Sequence, residues 1–239
     1  MKSVLILIKG LIFSIMLLGA DAKLHAQDCK NYYYMMNNAE VQITLYDKNN
    51  KTSGVQNWKI SNVKKTGTGL SSAVSLTFTD EKGGQIAKAS GLYKCEGGRL
   101  MADMRISMPH DQTKQVKDDE ASLDPSYIEY PAAMSEGMKL PDAHLNMKTN
   151  TSGISSAVQF DMNDRQITGK EKVTTPAGTW DAFVIKYEAV MKIKMAGIGI
   201  PKTMMTTEWF VPGFGIVKTE TYSKKGKLEG SSQLTKLKK

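Results

Sequence analysis

Apolar and polar residues alternate with a period of two along much of the chain. Val41, Ile43 and Leu45 are spaced by polar residues, as are Val74, Leu76 and Phe78 and, later, Val158, Phe160 and Met162. The longest such run passes through Leu100, Ala102, Met104, Ile106 and Met108. Successive side chains of a strand point to opposite faces, so each run predicts a strand with one face on a core and one in water. Turn-forming clusters separate the runs at Asp47-Lys48-Asn49-Asn50, Asp80-Glu81-Lys82-Gly83-Gly84, Glu96-Gly97-Gly98 and Lys224-Lys225-Gly226. Asn and Gly tolerate the positive φ of tight hairpins. No segment carries a capped helical stripe. The pattern predicts an all-β domain of about ten to twelve strands with little helix.

Two turns carry more detail. In Thr175-Pro176-Ala177-Gly178 the proline presets φ and the glycine closes the turn. Val211-Pro212-Gly213-Phe214 has the Pro-Gly order of a type II turn. The hairpin after Tyr46 is echoed after Tyr222, and both read as the same turn chemistry. Between 109 and 141 the alternation fails and Pro125, Pro131 and Pro141 punctuate the chain. That stretch reads as a loop-rich insertion, either a surface loop or a lid. The Lys-rich C-terminus, through Ser232 to Leu237, reads as an edge strand, because lysine discourages edge-to-edge pairing.

The first residues differ from the rest. Lys2 and Lys9 precede an apolar run from Leu11 to Leu18, and small residues lead to Ala26-Gln27. This is the order of a secretory signal peptide, residues 1–26, and the run is too short to span a bilayer. The formal charge of the whole 239-residue chain is +8; removing three lysines and Asp21 leaves +6. Residues 27–239 then read as one exported domain, periplasmic, with outer-membrane association or secretion left open. Cys29 and Cys95 both survive cleavage, and in an oxidising compartment an even pair reads as one disulfide, against the alternative of two buried thiols.

Several segments occur together in one order: Asp28-Cys29-Lys30, Gly91-Leu92-Tyr93-Lys94-Cys95, Thr174 to Ala182, Glu208 to Lys218, and Lys225 to Gly230. Over roughly 28–238 they resemble an exported Bacteroidetes family, the TapB-like proteins, itself similar to periplasmic proteins of a domain of unknown function. The shared motifs are a Pro-Ala-Gly-Thr-aromatic-Asp-Ala turn, with Pro176, Gly178 and Trp180, and a Trp-aromatic-x-Pro-Gly-x-Gly hairpin, with Pro212, Gly213 and Gly215. Trp180 replaces the commoner Phe and Phe210 the commoner Tyr. The resemblance implies a single curved antiparallel sheet, a half-barrel or β-clam shaped like the carriers LolA and LolB. It implies no catalytic residues.

Composition narrows the chemistry. After cleavage only His110 and His144 remain, neither in a recognisable motif, and no Gly-x-Ser-x-Gly elbow occurs. Asp118-Asp119-Glu120 reads as a solvated loop. The expectation is no enzyme. Met101, Met104, Met108 and His110 are soft ligands in type, but Leu100, Ala102 and Ile106 share their strand, so they read as core and no metal or cofactor is expected. Three arginines and no stacking motif argue against nucleic acid.

Fifteen methionines against six phenylalanines favour an adaptable apolar cavity. The pocket candidates are Met104, Met108 and Trp209, then Met191, Ile193 and Met195, and finally Ile198, Ile200, Met204 and Met205. The expected function is non-enzymatic binding of an apolar or lipid-like ligand or an envelope component. The alternative is an envelope interaction module that works through its sheet edges without a small ligand.

Overall fold

The alternating runs become strands, and hairpins join almost all of them. The computed structural model describes residues 29–107, 126–151, 154–195 and 199–239. The leader reading, Met108, His110, the Asp118 to Glu120 cluster and Ile198 lie outside the described residues, and of Met195 only the backbone is described. Among the described residues there are twelve strands: β1 (Glu40–Asp47), β2 (Thr52–Thr66), β3 (Gly69–Asp80), β4 (Gln85–Glu96), β5 (Arg99–Asp103), β6 (Tyr127–Tyr130), β7 (Ala143–Thr151), β8 (Ile154–Thr175), β9 (Gly178–Met195), β10 (Pro201–Val211), β11 (Gly215–Ser223) and β12 (Leu228–Lys238). They form one sheet in the order β6-β5-β4-β3-β2-β1-β12-β11-β10-β9-β8-β7. All neighbours run antiparallel.

The sheet curls until its two edges, β6 and β7, face each other, giving a nearly closed barrel. Among the described residues no ladder joins β6 to β7. Side chains bridge this seam instead. The Ser126 hydroxyl donates to the His144 carbonyl. Arg165 Nη1 donates to the carbonyls of Glu129 (3.2 Å) and Pro141 (2.7 Å). Arg165 reaches the seam from a bulge in β8, where pairing with β9 skips from Asn163 to Gln166 and Asp164 takes a φ of 55°.

Three expectations change. The run from Leu100 leaves the sheet at Asp103, and Met104–Ser107 forms a 3-10 turn. Asp103 causes this: its Oδ1 accepts the Arg105 backbone N–H at 3.0 Å, which folds the chain back on itself. The insertion around 109–141 contributes structure: β6 pairs with β5, and the Gly137 and Leu140 amides bond to carbonyls of β8. The C-terminal strand is central, paired to β1 on one side and β11 on the other. Its Lys236 and Lys238 are exposed while Leu234 is fully buried, so the lysines mark the outer face of an interior strand.

One end of the barrel is plugged. Cys29–Asn31 and Tyr33–Met35 form 3-10 turns, and a disulfide joins Cys29 to Cys95 on β4. Tyr32 donates to the Gly98 carbonyl (3.2 Å) and Tyr33 to that of Lys238 (2.8 Å). Both motif turns meet this plug. Trp180 and Tyr33 each pack on Phe214, at centroid separations of 5.1 and 5.4 Å. Trp180 also donates its indole N–H to Thr175 Oγ1 (3.1 Å). Pro212-Gly213 makes the expected type II turn, with Gly213 at φ 78° and a 3.0 Å bond from Phe214 N–H to Val211 O. Gly215 has φ 132°, and a Cβ there would stand 2.7 Å from the Tyr34 ring. The motif residues Pro176, Gly178, Trp180, Pro212, Gly213 and Gly215 therefore belong to the closure of this end.

Candidate functional site

Above the plug the inner faces of the strands enclose a cavity of about 220 Å³. Tyr34, Trp58 and Tyr93 line its plugged end, with Tyr34 stacked on Tyr93 at 4.5 Å. Near the seam its wall is apolar: Leu100 and Ala102 of β5, Ile128 of β6, and Phe160 and Met162 of β8. Across the barrel, β10, β11 and β12 contribute Thr206, Glu208, Thr219, Thr221 and Ser232. The ladder sets these in rows: Glu208 pairs with Thr219, which pairs with Ser232, and Thr206 pairs with Thr221.

Glu208 is the chemical centre. It is 4% exposed and both its oxygens are occupied, Oε1 by the Tyr187 hydroxyl (2.7 Å) and Oε2 by that of Tyr130 (3.1 Å). The bonds tie β9, β10 and β6 together through the interior. Burial pushes the Glu208 carboxyl above its ordinary value; the Arg165 charge and the two phenol donors oppose that shift. Burial likewise raises Tyr130 and Tyr187 well above the ordinary phenol, and the Glu208 charge adds to it. Arg165 sits over the Tyr130 ring, its guanidinium carbon 5.1 Å from the centroid, and does not itself line the cavity.

Of the pocket candidates, Met204 lines the cavity. Its neighbour Met205 is 43% exposed, because adjacent residues of a strand face opposite ways. Ile200 is 87% exposed, just before β10. Trp209 lies on the outer face of β10, bonded to Glu171 and covered by Lys218, whose Nζ is 4.4 Å from its centroid. Met191 and Ile193 continue the inner face of β9 beyond the cavity, opposite Phe160 and Val158. Met104 is fully buried in the 3-10 turn, outside the lining.

Sequence reasoning missed Glu208, Tyr130, Tyr187 and Arg165. The signal for Glu208 was present: Met204, Thr206, Glu208 and Phe210 share one strand face, so a carboxyl stands in an inward register. Arg165 had no such signal, since only the bulge turns it inward.

His144 Nδ1 lies 3.1 Å from Asp161 Oδ1, at an exposed cross-strand position. The nearby Ser126 hydroxyl bonds to the His144 carbonyl and not to its ring. Among the described residues no cluster of three or more His, Cys, Asp or Glu is placed to hold a metal. Among them, too, no helix is long and apolar enough to cross a membrane.

The fold has known relatives. A candidate lipoprotein from Parabacteroides distasonis matches with a TM-score of 0.72 at 20% identity, over 85% of this chain and 96% of that one. A candidate exported protein with a YmcC-like fold from Bacteroides fragilis matches with a TM-score of 0.67 at 21% identity, over 85% of this chain and 97% of its own. No curated protein matches the chain. The sequence profile of the DUF3108-like family matches residues 37–234, which spans the sheet from the plug to Leu234, and the chain belongs to that family.

Proposed function

We propose that the protein is an exported, non-enzymatic component of the cell envelope that holds an apolar or lipid-like molecule inside its sheet. The observation that carries this reading is the cavity of about 220 Å³, apolar near the seam and lined at one side by the buried Glu208 carboxyl. Pockets for small ligands have this make-up: mostly apolar walls and a few placed polar groups. The leader and the disulfide suit export, and so do the names of the two structural relatives. The narrower kinship with TapB-like proteins belongs to the same reading.

The edge-binding alternative has less behind it. Arg165 and Ser126 engage the two sheet edges with each other.

The test uses mature protein purified from its native envelope. Organic extraction and mass spectrometry should recover an amphiphile in stoichiometric amount. Delipidated protein should take up the uncharged dye N-phenyl-1-naphthylamine saturably. Ala189 lines the cavity at 2% exposure, so Ala189→Trp should fill it and abolish uptake. An empty protein that takes up no dye overturns the reading.

A further inference from the structure

The cavity has a chemical polarity that selects among amphiphiles. Among the described residues that line it, the one ionisable group besides tyrosines is Glu208, and none is Lys, Arg or His. The Glu208 oxygens each accept one phenol hydrogen bond. A carboxylate has about four lone-pair sites, so about two stay available to a further donor. Beside Glu208 lie hydroxyls that both donate and accept: Thr219 and Ser232 in its own row, Thr206 and Thr221 in the next. An acyl or alkyl chain would lie against the apolar seam-side wall of Ile128, Phe160 and Met162.

The geometry points to an amphiphile with an uncharged, hydroxyl-bearing head, a long-chain alcohol or monoacylglycerol, whose O–H donates to Glu208 while its chain lies against the seam-side wall. A free fatty acid presents the wrong head. Its carboxylate would be buried beside Glu208, with no cation among the described lining residues to offset the pair. Arg165 is the counter-charge that acts on Glu208, but its Nη1 is turned to the carbonyls of Glu129 and Pro141. Its Nε and Nη2 are buried without a hydrogen-bond partner.

This inference rests on the cavity reading above, and its test separates the two. Delipidated mature protein is loaded with N-phenyl-1-naphthylamine at pH 8, and dodecanol, 1-monolauroylglycerol and laurate are compared as competitors. The expected result is displacement by the alcohol and the glyceride at concentrations about tenfold below laurate, the ratio set by one hydrogen bond to a charged acceptor. Glu208→Gln should narrow that gap, because it removes the repulsion on laurate while its carbonyl oxygen still accepts from one phenol and its amide N–H can donate to the oxygen of the other. A second variant, Thr219→Val, should weaken the alcohol and the glyceride and leave laurate unchanged. If the dye binds and laurate competes as well as the alcohol or better, the head-group assignment falls and the cavity reading stands. If no dye binds, both fall.

Discussion

Arg165 is 1% exposed, donates to two backbone carbonyls on opposite sides of the seam, and leaves two nitrogens without partners. A buried cation so placed costs much desolvation, and the Glu208 charge is what offsets it. Arg165→Ala should therefore destabilise the fold by about 3 kcal/mol or more, because it opens the seam and strands Glu208. Glu208→Gln in that background should recover part of the loss. Urea denaturation of the four proteins of the cycle measures both, and additive losses would refute the coupling. The pH dependence has a definite sign. The Glu208 carboxyl is raised in the folded state, so between its ordinary value of 4.5 and its folded value the native protein binds more protons than the unfolded chain. Stability from this group is then lost as pH rises through that window. Wild type should lose stability relative to Glu208→Gln over the same range, and parallel pH curves would contradict the assignment.

At the scale of elements, three hairpins use one device. Asp47 N–H bonds to Lys51 O, Asp80 N–H to Gly84 O and Ser223 N–H to Lys227 O, each at 2.8 to 2.9 Å. Asn50, Gly83 and Gly226 occupy the same left-handed position in them, with φ of 60°, 81° and 73°. The echo between the hairpins after Tyr46 and Tyr222 is thus a local turn solution reached again at Asp80. The last strand carries the sharper consequence. β12 pairs on both sides and buries Leu234, so its removal splits the sheet into two edges and breaks two ladders. A chain ending at Gly226 should show no cooperative thermal transition by circular dichroism. A chain from Gln27 to Lys239 should melt cooperatively. A cooperative melt of the shortened chain would show that β12 is dispensable.

At the scale of the whole molecule, the seam divides a strong region from a weak one. β1 and β12 lie farthest from it in the sheet order, with β2 and β11 next, and all four are paired on both sides, whereas β6 and β7 each have one ladder. Local opening follows pairing and burial. Amide exchange read by mass spectrometry should be slowest in β1 and β12 and fastest in β6 and β7. Uniform protection around the barrel would argue that the side-chain bridge closes the seam as firmly as a ladder does.

The all-β class, the strand count, the hairpin turns and the Cys29–Cys95 pairing were legible in the chain, because period-two alternation, turn residues and an even cysteine pair are local or arithmetic signals. The site was legible only in part. Met204 and Phe160 could be placed on inward faces, and Glu208 could have been, but alternation cannot tell the two faces of a curled sheet apart from one strand alone. Only tertiary structure decided that Met205, Ile200 and Trp209 face away from the cavity, that a lysine-bearing terminus is the middle of the sheet, and that a bulge sends Arg165 across to its seam. Strand order and register are long-range pairings, set by which ladders satisfy the backbone and bury the core together, and no short window of sequence holds that information.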